Sequence, residues 1–129
     1  MLNKIMLIGN LGRDPEMSYT PAGKAITKFS LAVNRRRRNR DTGDQTDETT
    51  WFRIVAWDQL AETMNRFLHK GSKVYIEGRM ESHDYTDKDG IKRTAWEVTA
   101  TEMQMLDPKG AGQGSGGPDD LSMDEVPFE

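Results

Sequence analysis

The stretch "TWFRIVAW", residues 50–57, alternates between two kinds of side chain. One set of positions is apolar and suits a strand that faces a core: Phe52, Ile54 and Ala56. The alternate positions carry two tryptophans around an arginine: Trp51, Arg53, Val55 and Trp57. The pattern predicts a strand with one face on the core and a second face that is rich in aromatic rings.

This second face is the first functional signal. A small five-stranded barrel has one interior, so Trp51 and Trp57 are expected outside it, where their exposure is unfavourable unless something covers them. Aromatic rings beside Arg53 form a platform on which nucleobases of any sequence stack, worth about 1–3 kcal/mol per base. Two other readings stay open, because a tryptophan can be partly buried in a core strand or covered by another subunit.

The rest of the body reads mainly as strands. Residues 58–71 form the predicted helix, with Asp58 as its N-cap and Gly71 at its left-handed C-terminal position. The polar stretch 42–48 is predicted to be a loop, residues 12–16 a turn, and Asp89-Gly90 the turn of a hairpin over 85–93. Further strands are expected at 4–9, 24–33, 72–80 and 94–106. The fold class is therefore all-β with one inserted helix, and a small closed barrel fits it best.

The basic run "NRRRRNR", residues 34–40, lies between a strand and the predicted loop. It could be a solvated loop or a localisation patch. Closely spaced arginines repel one another unless an anion lies nearby, and the planar guanidinium suits phosphate. We interpret the run as a finger that binds a nucleic-acid backbone, and we add Arg53 from the tryptophan strand. The predicted phosphate contacts are Arg35, Arg36, Arg37, Arg38, Arg40 and Arg53.

The charge of the chain is divided unevenly. Residues 107–129 carry six acidic and one basic side chain, a net charge of −5, whereas residues 1–106 carry 17 basic and 15 acidic side chains, a net charge of +2. A mildly basic body with an acidic tail suggests a polyanionic partner and an interaction segment. The chain contains no cysteine, and no apolar run approaches the about 18 residues of a membrane span. We expect a cytoplasmic protein without a membrane partner.

Signals for catalysis are weak. The two histidines, His69 and His83, lie in different elements, and their spacing fits no zinc site. The aspartates near residue 87 fall in a turn and lack the ordered ligands of a calcium loop. We expect no enzyme activity, no metal and no cofactor. A metal-dependent nuclease remains a hypothesis that incubation of single strand with magnesium or manganese would test.

Several motifs, taken in order, resemble the bacterial-type single-stranded DNA-binding protein (SSB) family. They are "GNLGRDPE" (9–16), "TTWFRIVAW" with the "LAE" that follows, "FLHKGSKVYIEGRM" (67–80), "MQML" (103–106) and "DEVPF" (124–128). Each alone is a weak signal, whereas the ordered set is specific. The resemblance covers residues 1–106 and the final residues.

The resemblance implies a five-stranded oligonucleotide-binding (OB) barrel, a homotetramer and single-stranded DNA wrapped around it. It implies that Trp51, Trp57 and Tyr85 stack on bases. The family has a further tryptophan at about the position of Arg37, so this chain carries an arginine in its place. It implies protection of single strands in replication, repair and recombination, in association with the nucleoid. A primosome-type or RNA-binding OB protein is the alternative.

The chain closes on "SMDEVPFE", residues 122–129. Residues 1–106 are predicted to form the binding and oligomerisation domain, 107–118 a flexible glycine-rich linker and 119–129 an acidic tip in a disordered tail. Solubility alone would not require Phe128, which suits an anchor in another protein's pocket. The resemblance implies that replication and repair proteins bind this tip, through Asp124, Glu125, Val126, Pro127 and Phe128. Glu129 follows the position at which the family usually ends.

Overall fold

The computed structural model describes residues 1–107 and consists of six strands and one helix over that range. The elements are β1 (Ile5–Leu11), β2 (Glu16–Tyr19), β3 (Ala25–Arg38), β4 (Gln45–Trp57), α1 (Asp58–Phe67), β5 (Lys73–Thr86) and β6 (Lys92–Met105). The predicted linker 107–118, apart from its first residue, and the tip 119–129 lie outside the described residues.

Five of the strands close into a barrel. Their hydrogen-bonded order is β1-β5-β6-β4-β3, and β1 then pairs with β3 at Asn10–Ala32 and Leu11–Leu31. The β4–β6 seam is parallel, through Ile54–Val98 and Val55–Thr99, whereas the other pairings are antiparallel. β2 lies outside the closed ring, against β3. The structure confirms the predicted five-stranded OB barrel with one inserted helix.

Two glycines allow neighbouring strands to approach closely enough for this closure. A methyl group on Gly9 would collide with the carbonyl oxygen of Ala32, across the β1–β3 seam. A methyl group on Gly78 would collide with the carbonyl oxygen of Thr99, next to a break in the β5–β6 register between Glu77 and Gly78. Glycine at such bulges and close contacts bends a strand without a steric penalty.

The barrel interior and the inner side of α1 form one core. Ile54 and Ala56 are fully buried and Phe52 packs against the cluster, as the alternation over 50–57 predicted. The helix adds Ala61 and Met64. The remaining buried cluster comes from the other strands and from the end of the helix: Leu7, Leu11, Ala25, Phe29, Leu31, Leu68, Val74, Ile76, Val98 and Ala100.

Buried polar groups in this core are paired. The Thr27 hydroxyl donates to the carbonyl oxygen of Ala61 at 2.7 Å and so ties β3 to the helix. The Ser72 hydroxyl accepts from the His69 amide at 3.0 Å. No buried side-chain nitrogen or oxygen within residues 1–107 lacks a partner, which matches a well-formed interior.

The predicted helix is too long and its cap is wrong. The helix ends at Phe67, because Leu68 turns to extended backbone, with φ −95° and ψ 152°, and inserts its side chain into the core. Asp58 is the first helical residue, with φ 56°, and no side chain caps the helix. Gly71 does adopt a left-handed conformation, φ 90°, but in the turn before β5.

Two predicted irregular segments are shorter than expected, because strands take up part of each. β4 begins at Gln45, so the loop predicted at 42–48 shortens to a turn, and Glu16, placed in a turn, starts β2. β3 and β4 continue past the barrel as a two-stranded extension, here called the arm, built from residues 34–38 and 45–49. Polar runs hide the strand pattern, since both faces of the arm are exposed.

The closure of the barrel makes a prediction about Gly78. Gly78→Ala should lower the free energy of unfolding by about 1–3 kcal/mol, because the added methyl has to push apart β5 and β6. Urea unfolding measures the difference. Ser82→Ala, in the exposed part of the same strand, is the matched control and should change little. Equal stability of Gly78→Ala and wild type would show that the barrel does not need this close contact.

Candidate nucleic-acid interface

The outer face of β4 carries the predicted aromatic platform. Trp51 is 59% exposed and Trp57 39% exposed, and Arg53 between them is exposed as well. Their cross-strand neighbours on β3 are Ala32, Ser30 and Ile26. Because these neighbours are small or partly buried, they leave much of each ring and of the guanidinium exposed.

Val55 departs from this pattern. It lies on the same outward face of β4 as the tryptophans, yet only 3% of it is exposed. The reason is the barrel seam, since Val55 pairs with Thr99 of β6 as well as with Lys28 of β3. The outer face of β4 is therefore open at its two tryptophan ends and covered between Arg53 and Trp57.

The Trp51 ring lies over Gly12, just after β1. A methyl group at Gly12 would sit 2.6 Å from Cζ3 and 2.9 Å from Cη2 of the ring. Only glycine leaves room for the ring in this position. Gly12 thus helps to orient the Trp51 side chain, a role that sequence reasoning did not assign.

A cleft beside Trp51 brings two strand pairs together. It is lined by Ser30, Trp51, Phe52, Arg53, Tyr85, Ala95 and Trp96. Of the predicted stacking residues, Trp51 and Tyr85 share this cleft, and Trp57 lies outside it. Trp96 was not predicted: its alternation with Val98 and Ala100 indicates a core position, and the sequence does not reveal that residue 96 lies beyond the rim of the core.

The arginines of the run lie on two opposite faces of the arm. β3 persists through Arg38, so Arg36 and Arg38 share the outward face of Trp51, whereas Arg35 and Arg37 point to the opposite face. Arg40 follows the strand, in the turn. All of these side chains are exposed.

Carboxylates from β4 lie across from the arginines. Arg37 Nη1 is 3.2 Å from Glu48 Oε2, and Arg36 Nε is 3.7 Å from Asp47 Oδ1. The repulsion expected within the run is thus partly relieved by the arm itself. Exposed pairs of this kind contribute only about 0–1 kcal/mol, so a phosphate can replace the carboxylate at little cost.

An acidic side chain, Glu97, lies beside Arg53, and another, Asp87, lies in the hairpin turn that follows Tyr85. Glu97 lies 4.0 Å from Arg53 and 3.7 Å from His83. Past Tyr85 the hairpin is closed by Asp87, which accepts from the side chain of Arg93 and from the amides of Ile91 and Asp89. These hydrogen bonds, that of Arg93 above all, hold the pKa of Asp87 below its usual range. The predicted Asp89-Gly90 turn is confirmed, with Gly90 at φ 79°.

The outer face of β5 is different in character. The hydroxyl of Tyr75 and then Lys4 lower the pKa of Glu77, and the same hydrogen bond raises the pKa of Tyr75. The Thr99 hydroxyl and then Arg79 lower the pKa of Glu81. Both carboxylates are therefore held in the charged form, each beside a cationic side chain: Lys4 for Glu77 and Arg79 for Glu81.

The described part of the chain has neither a cluster of metal-ligating side chains nor a helix that could span a membrane. Within residues 1–107, no cluster of three or more histidine, aspartate or glutamate side chains is placed to hold a metal ion. The one helix in that range, α1, is not of a length and polarity to cross a membrane. The predicted tip residues Asp124 to Phe128 lie outside the described residues.

Comparison with known proteins decides the family. The sequence profile of the single-strand binding protein family matches residues 2–106. The chain belongs to the single-strand binding protein family. Its barrel, Gly12 and the β4 platform all fall within the matched region.

Relatives in this family are similar over most of the chain. A single-stranded DNA-binding protein of Wolinella succinogenes is 45% identical over 128 residues, 98% of this chain and 78% of that protein. Proteins of the same name from Xanthomonas axonopodis and Neisseria meningitidis are 44% and 46% identical. The chain spans 61% and 65% of the length of these two relatives.

A solved structure has the same fold. It is titled as the SSB complex of Plasmodium falciparum with single-stranded DNA. The match has a TM-score of 0.77 at 31% identity and covers 83% of this chain and 97% of that chain.

Proposed function

We propose that the chain binds single-stranded DNA without reading its sequence. The observation that carries the proposal is the outer face of β4, where two exposed tryptophans flank an exposed arginine. Relatives named as single-stranded DNA-binding proteins, and the neighbouring structure titled as a complex with single-stranded DNA, support it. The single strand would be shielded during replication, repair and recombination.

Base stacking would fall on Trp51, Trp57 and Tyr85. All three are more than a third exposed, so their faces are accessible without rearrangement of the core. Stacking on such faces tolerates any base, because every base has a π-face. Duplex DNA keeps its bases inside and offers this surface only its backbone.

Phosphate binding would fall on Arg53 and on the arm. Arg53 sits between the stacking rings, and the arm continues the same face through Arg36 and Arg38. Arg35, Arg37 and Arg40 extend the positive charge to the other face and the turn. Neutralised phosphates release counterions, so affinity should fall as salt rises.

We propose a homotetramer as the assembled form. β1 pairs with β5 along residues 5–10 but with β3 only at Asn10 and Leu11, so one edge of its first half is open in the single chain. Met6 and Ile8 are exposed on its outer face. An open edge beside exposed apolar side chains favours contact with another copy.

Light scattering on the full chain tests the tetramer directly. We expect the mass of four chains, and a reduced mass for Met6→Asp with Ile8→Asp, because charge on the exposed face of β1 opposes the contact. A wild-type mass equal to one chain would contradict the proposal. The matched control is Ile91→Asp, an exposed apolar residue in the hairpin turn.

The stacking residues give the sharpest test of function. Trp51→Ala and Trp57→Ala should each weaken binding to oligo-dT by about 1–3 kcal/mol without unfolding the barrel. The anisotropy of a labelled strand measures the affinity. Tyr19→Ala removes an exposed aromatic ring on β2; it is the control and should bind like wild type. Unchanged affinity in a tryptophan variant would mean that this residue belongs to the core or to a subunit interface instead.

The RNA-binding alternative is tested by competition with unlabelled strands. If matched RNA displaces the labelled strand better than poly-dT does, the alternative is favoured.

The arginines and the carboxylates of the arm should have opposite effects on the binding of single strand, because only the arginines attract phosphate. Replacing Arg35 to Arg38 by alanine should flatten the dependence of affinity on salt, by about 0.7 in the log–log slope for each lost phosphate contact. Asp47→Asn with Glu48→Gln should raise affinity, since Arg36 and Arg37 lose their competing partners.

The control for the carboxylate variant keeps the charge change the same. Asp41 and Asp44 lie in the turn of the same arm and take part in none of the ion pairs found within residues 1–107. Asp41→Asn with Asp44→Asn should therefore raise affinity less. Equal gains from the two variants would mean that overall charge matters and the ion pairs do not.

We propose that the tip, residues 119–129, recruits replication and repair proteins. Its support is chemical: Phe128 offers an apolar anchor beside Asp124 and Glu125, a combination that short peptide ligands use against basic, apolar pockets. With the full chain as bait, Phe128→Ala should lose proteins that wild type captures from a bacterial lysate and keep its affinity for oligo-dT. Met123→Ala is the control, and equal capture by Phe128→Ala would contradict the role of the ring.

A further inference from the structure

Trp96 is a large aromatic side chain that the functions proposed above do not use. It lies on β6 opposite Ser82 of β5 and is 60% exposed, as much as Trp51. Two residues further along the same face, Val98 is fully buried. Trp96 therefore stands just beyond the rim of the core, where the interior no longer covers it.

The position of Trp96 is set by the seam between β4 and β6. These strands pair at Ile54–Val98 and Val55–Thr99. Toward the start of both strands, where no pairing continues, the cleft opens between Trp51 to Arg53 on one side and Ala95 to Trp96 on the other. Its volume is about 380 Å³, in the range of sites that hold small organic ligands.

The walls of the cleft combine rings with one cation. Its lining includes three exposed aromatic residues, Trp51, Tyr85 and Trp96, and the hydroxyl-bearing Ser30. Arg53 is the cationic group of the lining, and its nearest carboxylate, Glu97, is at 4.0 Å. Aromatic residues for a base and an arginine for a phosphate thus border one cleft, a combination that suits one nucleotide unit of a strand.

We propose that Trp96 is a further stacking residue, which holds one base of a bound single strand in the cleft it shares with Trp51 and Tyr85. The proposal rests on the single-strand binding proposed above. It adds a binding residue on β6 to the platform on β4, and it makes the β4–β6 seam part of the path of the strand.

The experiment uses the fact that the chain has three tryptophans, at positions 51, 57 and 96. In the full chain with Trp51→Phe and Trp57→Phe, Trp96 is the only tryptophan and the other two positions keep an aromatic ring. Oligo-dT is added at low salt, and two signals are followed together: the anisotropy of a label on the strand and the emission of Trp96. We expect the emission to fall along the same binding curve as the anisotropy rises.

Two results would overturn the proposal in distinguishable ways. If the anisotropy reports binding while Trp96 emission and its quenching by acrylamide stay unchanged, the strand does not reach Trp96 and only this inference fails. If wild type also leaves the anisotropy unchanged, the proposed single-strand binding itself fails.

Substitution of Trp96 provides the second readout. Trp96→Ala should weaken oligo-dT binding about five- to 150-fold, the range reported by stacking contacts, and Trp96→Phe should restore most of it. Tyr19→Ala is the control for loss of an exposed ring. If Trp96→Ala instead changes the mass seen by light scattering and leaves the affinity per chain unchanged, Trp96 is covered by another copy and the proposal is wrong.

Discussion

The single interior of the five-stranded barrel is the constraint on which the rest of the structure depends. Gly9 and Gly78 let the strands approach closely enough to close, and the apolar residues of five strands and α1 then fill the interior. Within residues 1–107, no second core covers Trp51 and Trp57 on the outer face of β4. Both rings are therefore exposed in the single chain, and the exposed platform is a consequence of closure.

The arm lies outside the barrel interior, and some of its charged side chains are paired across its two strands. A two-stranded extension has no core of its own, and such ribbons are marginal in water. Backbone pairing of β3 with β4, from Asn34–Thr49 to Arg38–Gln45, holds the arm together. The Arg37–Glu48 ion pair and the hydrogen bond from Thr49 to Asn34 add to it. The carboxylates also moderate the positive charge of the arm, and because the ion pairs are weak, a phosphate can replace them.

Sequence alone predicted the elements that alternate against the core. The alternation over 50–57 located both exposed tryptophans, and the ordered motifs indicated an OB barrel. The loop predicted over 42–48 was wrong because the arm is polar on both faces, so alternation carries no information there. The helix predicted over 58–71 was too long because Leu68 packs into the core, and tertiary packing overrides the local pattern of the helix.

The site was predictable where it lies on one strand and not where strands meet. Val55 is buried by its pairing with Thr99, and Trp96 is exposed because β4 and β6 diverge beside it. Gly12 matters only because the Trp51 ring lies over it. Each of these facts depends on contacts between residues far apart in sequence, which no local pattern encodes.

The most direct measurement is a titration of the full chain with oligo-dT, and with duplex of the same length, at low salt. It follows intrinsic tryptophan emission together with the anisotropy of the labelled strand. The account predicts that single strand binds and quenches the emission in parallel, that duplex does so far more weakly, and that added salt reverses both signals. Binding of single strand without any change in tryptophan emission would contradict the aromatic platform as the binding surface.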